Sequence, residues 1–458
     1  MTIAKRPTYF GIHMKNHPRI LSPIALIVLV SSVSAESSPG ANWPAFRGAG
    51  DGVTPAKNLP AEWAPDKNIG WKIDLPGYGQ SAPVVWGNHV YVTAVSGDNR
   101  EKGFVLAYDA TTGKELWRHE FETTQKAKWG YTISRGAPTP CADANGLYAF
   151  FEGGNLIAFT HEGKVRWERS LVTDHGEFKG GHGVGSSPAQ TADTLFLLID
   201  HAGPCYLLAV EKATGKTKWK TDRTGKMSWT SPVIAMTGGH PVVVASSNGS
   251  VAGYAADTGK EVWRVDDVTG NTIPSASVLG DVVLVGAGAN RGGKESAKET
   301  KSNCCLSLTS ADGKPGITVK WTAKPGLASY ATPLAHQGVA YFVNEVGVIS
   351  GHDLQTGKSL FSERTAGPCW ASPIAAGDRV YFFGKNGTTT VLKAGKSFEV
   401  IATNKLWTDT PKPKSKTEEK EGSRSSGGDY ADPVLYGVAA ADSAFFVRTG
   451  TSLYRIGK

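Results

Sequence analysis

The chain has 458 residues, 40% hydrophobic and 20% charged, which suits a large packed core and excludes a disordered or fibrous polypeptide. Lys and Arg number 49 against 41 Asp and Glu; setting aside residues 1–35, with four bases and no acid, lowers the balance from +8 to +4, too mild to argue for a nucleic-acid partner. Gly 55 and Trp 13 are both high, which predicts many short strands and turns and little helix.

Residues 1–35 read as a secretory signal. Lys5, Arg6, Lys15 and Arg19 precede the apolar run Ile24–Val30, and small residues follow at Val33-x-Ala35. The run is short for a membrane span, so an uncleaved anchor is the alternative reading. No Cys near the cut offers a lipid attachment. The five cysteines, Cys141, Cys205, Cys304, Cys305 and Cys369, form neither CxxC nor the CxxCH of covalent haem, and export would permit disulfides. Residues 36–67 are expected to be an extension packed on the main domain, residues 68–458.

From there the chain repeats itself. The turn "DATTGKELW" (Asp109–Trp117) returns as "HEGKVRW" (His161–Trp167), "KATGKTKW" (Lys212–Trp219), "ADTGKEVW" (Ala256–Trp263) and "LQTGKSLF" (Leu354–Phe361). Before each stands a second marker, a small residue and then Pro: Pro83, Pro140, Pro188, Pro232, Pro333, Pro373 and Pro433, with Ala276 in one copy. The fourth copy reads as four strands, "SPVIAM", "PVVVAS", "SVAGYAA" and "EVWRVD", with Asn248-Gly249 as a hairpin turn. Eight such units predict an all-β, eight-bladed β-propeller of four-stranded antiparallel blades. Longer spacings mark inserts at Gly286–Ser302 and at 411–428, the second charged and rich in Pro, Gly and Ser and expected to be a disordered loop.

The chain ends argue for a ring over a solenoid. The last unit stops after a third strand, Thr451–Lys458, while "NIGWKIDL" (Asn68–Leu75) is a spare strand in front of the first. The amino-terminal strand is therefore expected to close the last blade, which removes two exposed edges. Trp71, Trp117, Trp167, Trp219, Trp263 and Trp321 are expected to project from outer strands and bury between blades, each worth about 2–3 kcal/mol. Phe361 takes a seventh place, and Lys393–Thr403 has no obvious aromatic.

The motif "A-x-D-x-x-T-G-K-E-x-W" resembles the tryptophan-docking repeat of pyrroloquinoline-quinone (PQQ) dehydrogenases and of their cofactor-free, BamB-like relatives. The lead-in Asn42–Gly77 is similar to that of exported PQQ-repeat proteins of planctomycete-type bacteria. The resemblance covers about nine-tenths of the chain and implies eight blades; it is specific for fold and weak for activity.

A four-stranded meander sorts its connections onto two faces. All "TGK" turns share one, here the turn face. The connections leading into each innermost strand share the other, the entry face, with the second-to-third turns. On the entry face Trp229, Tyr330, Trp370 and Tyr430 stand three residues before a marker Pro, with Tyr78, Trp129, Tyr131, Arg135 and His182 nearby. These are expected to ring the channel mouth and either plug it or bind a protein or polymer ligand. Second-to-third turns add Glu152, Asn248, Asn344, Glu345, Lys385 and Asn386.

If the chain were an enzyme, the resemblance would imply PQQ stacked on a Trp, Ca²⁺ held by Glu, Asn and Asp, and an Asp base. Glu152, Glu345, Asp429 and Asp432 are acids on the right face, but none aligns to that ligand set. The resemblance also implies a vicinal disulfide on the quinone. Cys304-Cys305 matches it in residue type and not in place, leaving a buried thiol pair or a structural vicinal disulfide. "GGHGVGSSP" (Gly180–Pro188) opens onto a strand and so fails as a phosphate loop, and His175 and His182 lack a metal-ligand spacing. The expectation is thus an exported, monomeric, non-catalytic scaffold of the periplasm or cell envelope with no cofactor or metal. A PQQ- and Ca²⁺-dependent dehydrogenase of an alcohol or sugar is the alternative. Membrane association is expected only if the signal stays uncleaved.

Overall fold

The computed structural model describes residues 42–127, 134–224, 227–247, 249–288, 303–324, 327–365, 367–408 and 433–457, together with Thr8 and Gly11. Ser37–Lys458 form one compact unit and Met1–Glu36 another. The predicted signal, most of the insert at 286–302, the insert at 411–428, Trp129, Tyr131, Asn248, Asp429, Tyr430 and Asp432 lie outside the described residues.

Eight antiparallel sheets follow one another along the chain, and the first of them, blade 1, has strands Val84–Trp86, His89–Ser96, Lys102–Asp109 and Glu115–Glu122. The innermost strand of each described blade begins one or two residues after its marker. Second and third strands are buried over most of their length, fully so in Thr194–Ile199, because neighbouring blades cover both faces. Outer strands alternate between exposed and partly buried residues, most regularly in Glu115–Glu122. The closing strand is Ile69–Asp74, which pairs antiparallel with Ser452–Ile456 and sets Trp71 opposite Arg455. An eight-bladed ring sealed by its amino-terminal strand is the observed fold.

Five tryptophans dock in one way. Each indole N–H donates to a carbonyl in the next blade's turn: Trp71 to Ala110 (3.2 Å), Trp117 to His161 (2.7 Å), Trp167 to Lys212 (2.9 Å), Trp219 to Ala256 (3.0 Å) and Trp321 to Leu354 (3.0 Å). The turn glycine has two reasons to be there. It adopts positive φ, +71° at Gly259, and a Cβ on it would meet the Trp219 ring at 2.4 Å.

Trp263 departs from this expectation. It is buried, but its Nε1 has no partner and the ring lies over Gly253 of its own blade. The reason is in blade 5, where Asn303–Ala311 and Lys314–Ala323 are joined by the two-residue turn Asp312-Gly313, both at positive φ. That turn is too tight to present a seat. Blade 7 carries Ala402 opposite Val391, where other outer strands carry the aromatic. Blade 8 has no third-to-outer turn to receive one, since its outer strand comes from the other end of the chain.

Cys304 and Cys305 are also placed differently from a bonded pair. Successive residues of a strand point to opposite faces. Cys304 packs with Val244, Val285 and Leu306 between blades 4 and 5, whereas Cys305 packs with Trp321 and Phe342 between blades 5 and 6. A vicinal disulfide does not form across that alternation.

Residues 42–56 cross the central channel. Trp43 exchanges two backbone hydrogen bonds with Val85 of blade 1 (2.8 and 3.0 Å), and Pro44 O accepts from Ala142 N of blade 2 (2.7 Å). On the far side Gly52 O accepts from Ala375 N (3.0 Å), and Val53–Thr54 run parallel to Ala375–Ala376 as a fifth strand of blade 7. Arg47 pins the middle. Its guanidinium donates to the carbonyls of Thr332 (3.1 Å), Pro333 (3.0 Å) and Asp51 (2.8 Å) and to Ser277 Oγ (3.3 Å). Burial lowers its pKa to about 10, with Asp51 pulling the other way, so it stays charged at neutral pH.

Two stability outcomes follow. Gly259→Ala and Gly313→Ala both place alanine at positive φ, but nothing lies within 4 Å of a Cβ at Gly313. Gly259→Ala should therefore be less stable by about 1–3 kcal/mol more, as read by urea unfolding; equal losses would refute the docking role. Arg47→Met strands buried carbonyls without a donor and should lose about 2–4 kcal/mol in the same assay; a loss near zero would show that the crossing segment does not brace the ring.

Candidate functional site

The crossing segment closes the channel near the middle of the innermost strands and leaves a cup open on the entry face. Its volume is about 720 Å³, and Trp43, Phe46 and Arg47 form its floor. The wall consists of two layers, both set by distance from the marker position.

The lower layer is the residue immediately before the marker. Here each blade's backbone N–H donates to the hydroxyl of the next: Ala82 to Thr139 (2.9 Å), Thr139 to Ser187 (3.0 Å), Ser187 to Ser231 (2.9 Å), Ser231 to Ser275 (2.9 Å), Ser275 to Thr332 (3.1 Å) and Thr332 to Ser372 (3.0 Å). Six junctions are tied in one pattern. The hydroxyl oxygens accept these bonds, and their own protons have no acceptor among the described residues. All six hydroxyl residues line the cup.

The upper layer stands three residues before the marker. Blades 1 to 3 place Gln80, Ala137 and Gly185 there; blades 4 to 7 place Trp229, Ile273, Tyr330 and Trp370. One half of the mouth is thus small or amide, and the other half is bulky. Tyr330 meets Trp370 (centroids 5.4 Å), Trp370 meets Tyr436 (6.1 Å), and Tyr436 meets Tyr78 edge-on (6.0 Å) with their hydroxyls 2.6 Å apart. Two cations stack on the arc: Lys385 lies over Trp370 (4.5 Å) and Arg135 over Tyr78 at its end (5.0 Å). Opposite them Trp229 donates its indole N–H to Gly183 O (2.9 Å) and meets His182 edge-on (5.6 Å).

Of the residues expected at the mouth, Trp229, Tyr330, Trp370 and His182 line the cup, and Arg135 stands behind Tyr78 outside the lining. Tyr430 is outside the described residues, and the blade 8 aromatic on the wall is Tyr436. Sequence reading missed the hydroxyl layer, although a Ser or Thr directly before the marker recurs visibly from Thr139 to Ser372. It also missed the floor, whose residues belong to no repeat. His175 lies against Tyr206, away from the cup.

A Ca²⁺–quinone centre can be tested against these groups. Calcium takes about 6–8 oxygen ligands, several of them carboxylates. The described lining contributes one carboxylate, Glu345, and no group of three His, Cys, Asp or Glu among the described residues could hold a metal. Arg47 is committed to the carbonyls beneath the cup, and the thiols of blade 5 lie between blades. These residues do not fit the group, and no step is derived through it.

Glu152, the other described acid singled out on this face, is outside the lining. Its Oε1 accepts from Gly136 N (2.7 Å), and its Oε2 is buried without a partner. Burial pushes this carboxyl up to about 7, against the lowering effects of the Gly136 N–H and of Arg100. A folded pKa above the ordinary 4.5 means that folding favours the protonated acid. The associated stability is complete below about pH 4.5 and lost as pH rises through about 7. Glu152→Gln should flatten that loss, roughly 2–3 kcal/mol, in urea unfolding at stepped pH; an unchanged slope would assign the loss elsewhere.

Comparison with known proteins agrees with this architecture. A family model described as outer membrane protein assembly factor BamB matches residues 53–186 and 176–302. Outer membrane protein assembly factor BamB of Shewanella oneidensis is 23% identical over 248 residues, 51% of this chain. The chain spans only 58% of the length of that relative. Among solved structures, BamB from Moraxella catarrhalis aligns over 84% of this chain and 96% of its own, with TM-score 0.55 and 13% identity. The quinohemoprotein alcohol dehydrogenase of Comamonas testosteroni aligns over 92% of this chain and 81% of its own, with TM-score 0.59 and 13% identity. At such identities these structures establish the shared fold alone. The two family matches run together from residue 53 to residue 302, more than half of the 458, and by that match the chain belongs to the family described as outer membrane protein assembly factor BamB.

Proposed function

We propose that this protein is an exported, non-catalytic scaffold of the cell envelope that captures a segment of a polymer, protein or glycan, in the cup on its entry face. The observation that carries this reading is the make-up of the cup. Its floor is the chain's own residues 43–47, its lower wall is hydroxyl, and its upper wall is half aromatic. Such a surface binds by stacking and hydrogen bonding. Membership of the BamB family supports a scaffold, and the basic, apolar, small-residue order of residues 1–35 supports export. The protein acts as a monomer in this reading.

The second reading is a PQQ- and Ca²⁺-dependent dehydrogenase of an alcohol or sugar, favoured by the fold shared with a quinohemoprotein alcohol dehydrogenase. Adding PQQ and CaCl₂ to the purified protein separates the two. A ligand at about a hundredfold its Kd adds about 2.7 kcal/mol to a folded protein, which a thermal melt detects readily. The scaffold reading expects an unmoved melt and no dye-linked oxidation of alcohols or sugars. A raised melting temperature with dye reduction would replace it by the enzyme reading.

A further inference from the structure

The two levels of the channel offer different hydrogen-bonding groups, and the difference selects a ligand class. Two residues beyond the marker, the innermost strands present free backbone groups. There the chain's own segment pairs with Val85, Ala142 and Ala375, as an added peptide strand would. At the level of the cup those donors are spent. In six blades the N–H before the marker already donates to the next blade's hydroxyl, and the marker is a proline without an N–H in every blade but the fifth. A peptide laid against this wall finds no backbone ladder. What the wall offers is a layer of O–H donors, with half-exposed aromatic faces above it and one carboxylate, Glu345.

From this we infer that the cup binds a neutral saccharide, a short stretch of glycan whose ring lies against Trp370 and the neighbouring aromatics while its oxygens accept from the hydroxyl layer. The inference rests on the scaffold reading and names its ligand. Sugar rings have an apolar C–H face and an equatorial belt of hydroxyls, which matches a wall apolar at one height and hydroxyl-bearing at the next. The volume, about 720 Å³, is in the range of small-molecule sites and suits a few sugar units. A polyanion is disfavoured, because the Lys, Arg, Asp and Glu side chains that line the cup are Arg47 in the floor and Glu345 on the wall, one of each sign, which leaves no excess of positive charge. Saturation along one side only, by the bulky half on blades 4 to 8, leaves the small half on blades 1 to 3 as the way in for a chain longer than the cup.

The test is a fluorescence titration of the full-length protein with short malto-, cello- and chito-oligosaccharides, with unstructured peptides and oligogalacturonate as comparisons. At least one neutral oligosaccharide should quench tryptophan emission saturably. Trp370→Ala should weaken that binding about tenfold, and Trp370→Phe should restore most of it. Ser231→Ala, which removes one O–H donor, should weaken it several-fold, with a melt confirming the fold. The inference is overturned if no neutral oligosaccharide of the set binds, if binding is indifferent to Trp370, or if peptides bind in a Trp370-dependent way instead. The last result would leave the scaffold reading standing, whereas stabilisation by PQQ and Ca²⁺ would remove both.

Discussion

In six of the eight junctions a backbone N–H at the throat of the ring donates to a hydroxyl carried by the next blade. A propeller needs something of this kind. Its innermost strands face a channel with one edge unpaired, and a buried N–H without an acceptor costs about 1–3 kcal/mol. Within a blade the strand ladder cannot supply the acceptor, so the neighbour does. The marker explains the residue type at both positions. Proline has no N–H and holds the residue before it extended; a Ser or Thr in that place has a short hydroxyl that reaches sideways. The pattern breaks at the seam. Ala82 donates onward but has no hydroxyl for blade 8, and Gly437 of blade 8 approaches so closely that a Cβ there would lie 2.6 Å from Ala82.

Everything at the site takes its height from that ring of bonds. Below it the strand edges are still open, and the segment from Trp43 to Thr54 fills them, turning a through-channel into a cup. Arg47 suits the role because its two terminal amino groups reach carbonyls contributed by blade 6 and by its own segment at once. Neutralising it with a facing carboxylate would have left less of the ring tied together. Above the ring, the positions three residues before each marker are released from any repeat constraint. There the sequence varies from Gly185 to Trp370, and the cup acquires a bulky side and a small side.

The ring itself was legible in the sequence because its signals are local and repeated. Turn glycines, outer-strand tryptophans and the alternation of outer strands recur at readable spacing, and the spare strand around Trp71 announced closure. The exceptions were less legible, since each depends on a partner far along the chain. Trp263 has the motif of a docking residue, and only the short Asp312-Gly313 turn of the following blade denies it a seat. Cys304-Cys305 looks like a bonded pair until the strand divides the two thiols between blade faces. At the site, Trp229, Tyr330 and Trp370 could be placed by register, but the floor could not. Residues 42–56 obey no period, and their contacts reach residues as distant as Ala440.

The two faces divide the work between them. On the turn face a tryptophan and a glycine must meet at a few ångströms, so the same words return and little freedom is left. Three junctions do without the indole dock, and each has its own reason: a turn too tight in blade 5 to seat Trp263, a Phe361 in blade 6 with no side-chain N–H to donate, and no turn in blade 8 to receive a residue from blade 7, which carries Ala402. The throat bonds at blade 4 to blade 5 persist where the dock fails, from Ser231 to Ser275. Closure therefore does not hang on any single tryptophan. With two independent sets of ties between blades, the entry face is free to place aromatics and hydroxyls for a ligand without having to hold the ring shut.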